Sequence, residues 1–319
     1  MSARMAPIPA AVTAAAVGGA RPVADSNHLR NVDVIIRTLA NSERAAQLER
    51  AIDSVHRQVA VSPRLLVIVN GNRYDPQLLA RLQERTDLEL HYLPTASAGA
   101  ARMMGRRLVK APYFLFLDDD DELLPHALAV ALLPMAADPE LAAVVTNGYY
   151  ISGSGRQLFI PDLFAAQADP LVCLLHRAWM ASCGALFNSA CVGTDLFGPA
   201  DLFHHEWTLI AFRISQSGMK IRFLDLPAYE IHDTPGSASK IVAHLEGELR
   251  ALDLMRAYPV PRRVRWLIDR KYRNVLHVLA NTYRERGSRS AAWLFHLRSL
   301  RPPCTLRYLL FTRKLLARA

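Results

Sequence analysis

Four consecutive aspartates, Asp118 to Asp121, followed by Glu122, stand directly behind the apolar run Tyr113 to Leu117. An acidic run is ordinarily a solvated loop or the start of a helix, where carboxylates favour the positive end of the dipole. Here the five preceding residues predict a buried strand, which would hold the carboxylates rigidly at its carboxyl end. Closely spaced, rigidly held carboxylates are what a hard divalent cation needs, with substrate phosphates completing an octahedral shell. A metal site is the favoured reading.

The elements that must position this run alternate in type. Val32, Val34, Ile35 and Ile36 predict a strand, and Ala45 to Gln58 a helix with Leu48, Ala51, Ile52 and Val55 at helical spacing. Leu65 to Val69 predicts a second strand, closed by the turn signal Asn70-Gly71-Asn72 and followed by a helix over Pro76 to Glu84. Leu88 to Leu93 is a candidate third strand, Ala98 to Val109 a third helix and Tyr113 to Leu117 a fourth strand. Pro125 to Met135 reads as helix, Ala142 to Val145 as strand, Gly148 to Pro161 as loop or hairpin, Glu206 to Ser217 as an amphipathic helix, and Ile221 with Phe223 as a strand. The expected fold is α/β: a doubly wound, mainly parallel sheet with helices on both faces, whose ligands gather at the carboxyl ends of the strands. From Ala238 the pattern is helical, broken at Pro259 and Pro261 and again at Pro302-Pro303.

With the acidic run placed on this frame, the sequence resembles a known family. Phe116-Leu117-Asp118-Asp119-Asp120-Asp121-Glu122 is similar to the F-L-D-x-D-D-E signature of family 2 nucleotide-sugar glycosyltransferases, which have the GT-A fold and carry their DxD motif there. Val34 to Thr38 and Leu48 to Gln58 resemble the family's opening strand and its L-x-x-A-x-x-S-V-x-x-Q helix. Ala101-Arg102 and Gly105 match the A-R-N-x-G part of its G-x-x-x-A-R-N-x-G segment, with Met103 in place of Asn and Gly99 two residues nearer than the pattern's first Gly. His205-Glu206-Trp207, Arg213 and Gly218 resemble its E-D-W, R-L and G pattern, and His232 with Ser237 and Ser239 its H-x-x-S-x-S ending. The resemblance covers residues 31 to 240 in order, with Ser237 two residues further from His232 than the pattern has it.

It implies an inverting, metal-dependent transfer of a sugar from a nucleotide diphosphate donor, with a UDP-sugar the prior, to a hydroxyl of a glycan or lipid-linked acceptor in cell-surface polysaccharide synthesis. Asp120 is implied as a ligand of Mg(II) or Mn(II), Asp118 as a contact to ribose or to the metal, and His232 as a further metal ligand. Glu206 takes the place of the general base, with His205 one residue away as the position a slip would choose. Arg102 is expected at the diphosphate, and Thr38 and Asn70 at the nucleoside. Asn70 stands where the family has an aspartate. The acceptor pocket is expected within residues 156 to 240, with Trp179, Cys183 and His205. A catalytically silent relative that binds nucleotide or scaffolds a membrane assembly is the alternative. A nucleotidyltransferase ranks lower, because Thr38-Leu39-Ala40-Asn41-Ser42 offers no glycine for a triphosphate loop.

Charge divides the chain. Residues 259 to 319 hold 15 Lys and Arg against Asp269 and Glu285, whereas the preceding residues carry a slight excess of acids within an overall charge of +9. A basic tail with Trp266, Trp293, Phe295 and leucines near helical spacing predicts contact with an anionic membrane surface. No nucleic-acid module accompanies it, so nucleic acid is not an expected partner. The four cysteines form no CxxC pair and read as reduced thiols of a cytoplasmic protein, peripheral at the inner face of the plasma membrane. No run of 18 apolar residues predicts a spanning helix. The expected divisions are a disordered leader over 1–30, a catalytic domain over 31–240 with a donor half (31–155) and an acceptor half (156–240), and a basic helical extension over 241–319.

Overall fold

The computed structural model describes residues 32–198, 202, 204–233, 242–302 and 306–316. The expected leader, Ser237, Ser239 and Cys304 lie outside these residues. The chain runs β1 (Val32–Thr38), α1 (Ala45–His56), β2 (Arg64–Asn70), α2 (Pro76–Glu84), β3 (Glu89–Leu93), α3 (Ala98–Leu108), β4 (Tyr113–Asp118), β5 (Glu122–Leu123), α4 (Ala127–Ala137), β6 (Leu141–Ser152) and β7 (Gly155–Leu158). It continues through α5 (Pro170–His176), β8 (Ala185–Asn188), α6 (Glu206–Gln216) and β9 (Lys220–His232). Four helices close it: α7 (Val242–Arg256), α8 (Arg262–Glu285), α9 (Arg289–Ser299) and α10 (Leu306–Leu316).

The strands form one sheet in the order β3-β2-β1-β4-β8-β6-β9-β5, with β7 paired to β6. The first four are parallel, as expected; beyond β4 the sheet turns mixed, because β8 enters antiparallel to both β4 and β6. Strand β8 and helix α5 are not among the expected elements. The boundary drawn at 155 falls inside the β6–β7 hairpin, so the two halves share a strand pair.

Period-two alternation explains why both faces are covered. In β4, Phe114 and Phe116 point into one core with Ile35, while Leu115 and Leu117 point into the other with Val34 and Ile36. Helix α1 buries Leu48, Ala51, Ile52 and Val55 on the second face. Helix α2 is started by Asp75, whose carboxylate accepts from the Gln77 and Leu78 N–H groups at 2.8 and 3.1 Å, with Pro76 in the first helical position. Helix α3 crosses the first face so closely that a Cβ on Gly105 would lie 2.6 Å from the Cγ2 of Ile35. That approach accounts physically for the glycine.

A second close approach holds β6 to β9. Tyr229 is fully buried, and its ring lies so near Gly148 that an added Cβ would sit 2.2 Å from a ring carbon; Gly184 borders the other edge at 3.0 Å. Gly148→Ala is expected to destabilise the protein by about 1–3 kcal/mol through overpacking. Thermal melts check this, and Tyr229→Leu in the Gly148→Ala background should recover part of the loss if ring contact is its cause.

The C-terminal helices are not a detached appendage. Leu249, Leu252, Val264, Leu267, Ile268, Tyr272 and Val275 join the same core as α5 and α6. Within it His277 is stacked on Tyr308 at 4.4 Å and set edge-on to Phe311 at 4.9 Å. Burial, then Arg307, His296 and Lys314, pull its pKa from 6.5 down to about 4. The neutral ring therefore contributes stability that is present above pH 6.5 and lost as pH falls toward 4, about 2 kcal/mol by pH 5. Urea melts across that range should show a shallower acid loss for His277→Leu than for the wild type.

Candidate active site

The site gathers at the carboxyl edge of the parallel strands, where β1 and β4 lie side by side while their connections leave in opposite directions, the position at which open α/β sheets bind ligands. The sheet register pairs Arg37 with Asp118 across β1 and β4. Arg37 Nη2 donates to Asp118 Oδ1 at 2.9 Å, and Ser182, just ahead of β8, donates its hydroxyl to Asp118 Oδ2 at 2.8 Å. The other end of the same guanidinium, Nη1, stands 3.9 Å from Glu206 Oε1 and donates to the Ala98 carbonyl at the head of α3. One arginine thus joins the first aspartate of the acidic run to the acid at the start of α6.

The remaining acids are individually countered. Arg44, on the 3-10 turn that leads into α1, spans Asp119 and Asp120 with two contacts of 2.5 Å. Asp119 is buried; burial pushes its pKa up to about 6 against the pull of Arg44 and the Thr38 hydroxyl. Asp121 is buried too, and burial plus the charges of Asp118 and Asp120 raise its pKa well above the ordinary range; it accepts from the His232 N–H and the Cys183 thiol. Glu122 faces Arg50 and Arg57.

Glu206 opens α6, where an acid is favoured by the helix dipole. Its carboxylate lies between Arg37 and Arg102, whose Nη1 is 3.7 Å away. The two residues ahead of it, His204 and His205, both have left-handed backbone, with φ of 68° and 54°. Consecutive non-glycine residues in that region store strain, which persists only where the surroundings enforce it. His205 turns away from the cleft and stacks on His244 of α7 at 4.2 Å; burial and His244 hold its pKa down to about 3. Glu206, not His205, is therefore the side chain presented beside Arg37.

Several expected contacts have other places. Arg102 is buried and donates through Nε and Nη2 to the Phe197 carbonyl at 3.1 and 2.9 Å, with Nη1 3.7 Å from Glu206. Thr38 is buried, and its hydroxyl oxygen accepts from the Ala40 N–H at 2.9 Å. Asn70 accepts from the Ser97 N–H at 2.8 Å and so fixes the cap of α3; Ser97 in turn accepts from the Ala100 N–H. His232 places Nε2 3.1 Å from Glu122. Trp179 and Cys183, expected along an acceptor pocket, are core residues. Trp207, packed on Phe116 and beneath Arg37, is half-buried and lies at the cleft. Arg37, Arg44 and Ser182 were not among the expected site residues.

For a divalent cation, Asp118 and Asp120 offer the oxygen donors that Mg(II) or Mn(II) takes, on one rigid strand end. They fit as a two-carboxylate seat to be completed by phosphate oxygens. The His232 ring stands beside Glu122, and among the described residues no three His, Cys, Asp or Glu side chains stand together as a metal-holding group.

Residues 33–174 match the model of glycosyl transferase family 2. Among solved structures, the S. aureus TarS fragment 1–349 in complex with UDP-GlcNAc superposes with a TM-score of 0.61 at 14% identity, covering 89% of this chain and 88% of that one. The same fragment in complex with UDP gives 0.56 at 15%, covering 90% and 79%. Against the longer S. aureus TarS structure the TM-score is 0.60 at 14% identity, covering 89% of this chain and 53% of that chain. No curated protein matches the sequence. At these identities the likeness shows the fold, which is that of the GT-A glycosyltransferases.

Proposed function

We propose, from the premise of a family 2 glycosyltransferase domain in residues 33–174, that this chain transfers a sugar from a UDP-sugar, with inversion, to a hydroxyl of a glycan or lipid-linked acceptor of a cell-surface polysaccharide. The observation that carries the proposal is the convergence of Asp118 and Glu206 on Arg37 at the ligand-binding edge of the sheet.

In this reading Glu206 accepts the proton of the acceptor hydroxyl as its oxygen bonds to the anomeric carbon and the bond from that carbon to the diphosphate breaks. One displacement from the face opposite the leaving group inverts the anomeric centre. Arg37 and Arg102 hold the carboxylate in position, and Trp207 supplies an apolar wall beside it. Asp118 and Asp120 would hold Mg(II) or Mn(II), which when bound neutralises charge on the departing nucleoside diphosphate. Thr38 and Asn70 act at the nucleoside side by ordering the strand ends that face it. A silent relative that binds nucleotide without turnover is the second reading, favoured by the Asn70 amide and by Arg44 on the acidic run.

A thermal-shift screen of UDP, GDP, dTDP and CDP and their sugars, each with and without Mn(II), tests the donor assignment. Stabilisation by a UDP ligand that depends on metal supports it; a ligand at a hundred times its Kd should add about 2.7 kcal/mol. Stabilisation with no turnover of any donor would favour the silent relative.

We also infer that residues 259–319 lie against an anionic membrane surface, at the inner face of the plasma membrane. Among the described residues no helix is long and apolar enough to cross a membrane. Instead α10 buries Tyr308, Phe311 and Leu315 and turns Leu306, Leu309, Leu310 and Leu316 outward beside Arg307, Arg313 and Lys314. That pattern suits an interfacial helix.

A further inference from the structure

Between α5, α8 and α10 lies a cavity of about 450 Å³ whose polar walls are His176, Arg270, Lys271, Asn274, Arg307 and Tyr308. No carboxylate lines it. Among the described residues neither Arg270 nor Arg307 makes an ion pair with a carboxylate: the Arg270 guanidinium lies over the Trp266 ring at 5.3 Å, and Arg307 Nε is 3.5 Å from His277 Nε2. Lys271 has a counter-charge, Glu248, at 3.5 Å. Two guanidiniums, a lysine and a histidine therefore share one concave wall that no carboxylate lines.

We propose that this cavity binds the phosphate of an anionic phospholipid headgroup. Guanidinium forks match phosphate oxygens in pairs, and the Asn274 amide, whose oxygen accepts from the Tyr308 hydroxyl at 3.4 Å, adds a neutral N–H donor on the same wall. A lipid source is favoured over a free phosphate because the rim is apolar. Leu306 is 70% and Leu310 50% exposed, and both line the adjoining hollow with Arg307 and Lys314. The proposal rests on the membrane placement of residues 259–319 and sharpens it: attraction is concentrated in one pocket instead of spread over the tail. Leu175 and Lys271 also line a small cavity that reaches His205, the neighbour of Glu206. A headgroup held here would set the bilayer on the acceptor side of the cleft.

Removal of residues 259–319 is not a usable test, because Val264, Leu267, Ile268 and Tyr272 belong to the main core. The full chain should instead be floated with phosphatidylcholine vesicles with and without phosphatidylglycerol. Arg270→Gln with Arg307→Gln is compared with Arg262→Gln with Arg313→Gln, which removes the same charge from exposed positions outside the cavity. Each basic residue near an anionic surface contributes about 1 kcal/mol wherever it sits, so diffuse attraction predicts equal losses, within about twofold, for the two pairs. The pocket predicts that the first pair binds phosphatidylglycerol vesicles at least about tenfold more weakly than the second. Equal losses would overturn the pocket and leave the membrane placement standing. Absence of vesicle binding by the wild type would overturn the lipid source and the placement together. Inorganic phosphate, matched in ionic strength against chloride in a thermal shift, identifies a soluble source: stabilisation there without vesicle binding also overturns the lipid assignment. Should the first pair fail to fold, Asn274→Asp, which puts a carboxylate on the cavity wall, carries the same expectation.

Discussion

Glu206→Gln is expected to lower the rate of sugar transfer by about 10³-fold, within the range that a lost general base ordinarily costs, while the Kd for donor stays within about twofold. The amide keeps the size of the carboxylate and its ability to accept a hydrogen bond, but it cannot take the acceptor proton. The competing explanation is that Glu206 serves only as counter-charge for Arg37 and Arg102. That role has its own signature. Arg102 is buried, and burial pulls its pKa down to about 10, so loss of the neighbouring negative charge would show as a lower melting temperature. A variant with intact melting and intact donor binding but no transfer identifies the base. A variant that transfers sugar normally removes Glu206 from the chemistry. His205→Asn separates the two adjacent candidates: asparagine tolerates the left-handed backbone and cannot take the acceptor proton, so this variant should keep far more transfer than Glu206→Gln, its loss being that of the ring contact to His244.

The strained backbone ahead of Glu206 belongs to the same argument. Two consecutive left-handed residues cost free energy that the fold recovers elsewhere, here by seating the His205 ring against His244 of α7. The result is an α6 whose first residue projects toward β1 and β4. The C-terminal helices thereby reach the site indirectly, through the ring that anchors its loop.

How far the sequence could go follows from the range of the forces involved. Helix α2 is legible at both ends because its signals are local, Pro76 at its start and leucines at helical spacing behind it. Strand β4 was placed to within one residue by its unbroken apolar run. Strand β8 was missed because four residues, Ala185 to Asn188, carry no period of their own and are strand only by pairing with β4 and β6. The acidic run was legible for the same reason as β4, but its partners were not. Arg37 meets Asp118 across 81 residues through the β1–β4 register, and Arg44 meets Asp119 across 75 from the turn that leads into α1. Ser182 lies among small residues with no pattern at all. Trp179 and Cys183 looked like pocket residues by type, yet hydrophobic burial claimed both.

The other large effect lies on the acidic run. Asp120→Ala is expected to abolish transfer, a loss of more than about 10³-fold, if its carboxylate holds the cation that neutralises the leaving diphosphate. In the structure that carboxylate is engaged by Arg44, which bridges it to Asp119. A divalent ion and a guanidinium compete for the same oxygen, so the ion gains the seat only as Arg44 leaves it. Arg44→Gln should therefore tighten Mn(II) binding, measured by electron paramagnetic resonance without donor, whereas Asp120→Ala should abolish it. If instead Arg44 is the working cation of the site, Arg44→Gln loses transfer while Mn(II) affinity is unchanged. Full transfer by Asp120→Ala in chelator-treated buffer would sink the metal assignment outright. The two substitutions decide between them whether the charge on the departing nucleotide is met by an ion or by an arginine of the chain itself.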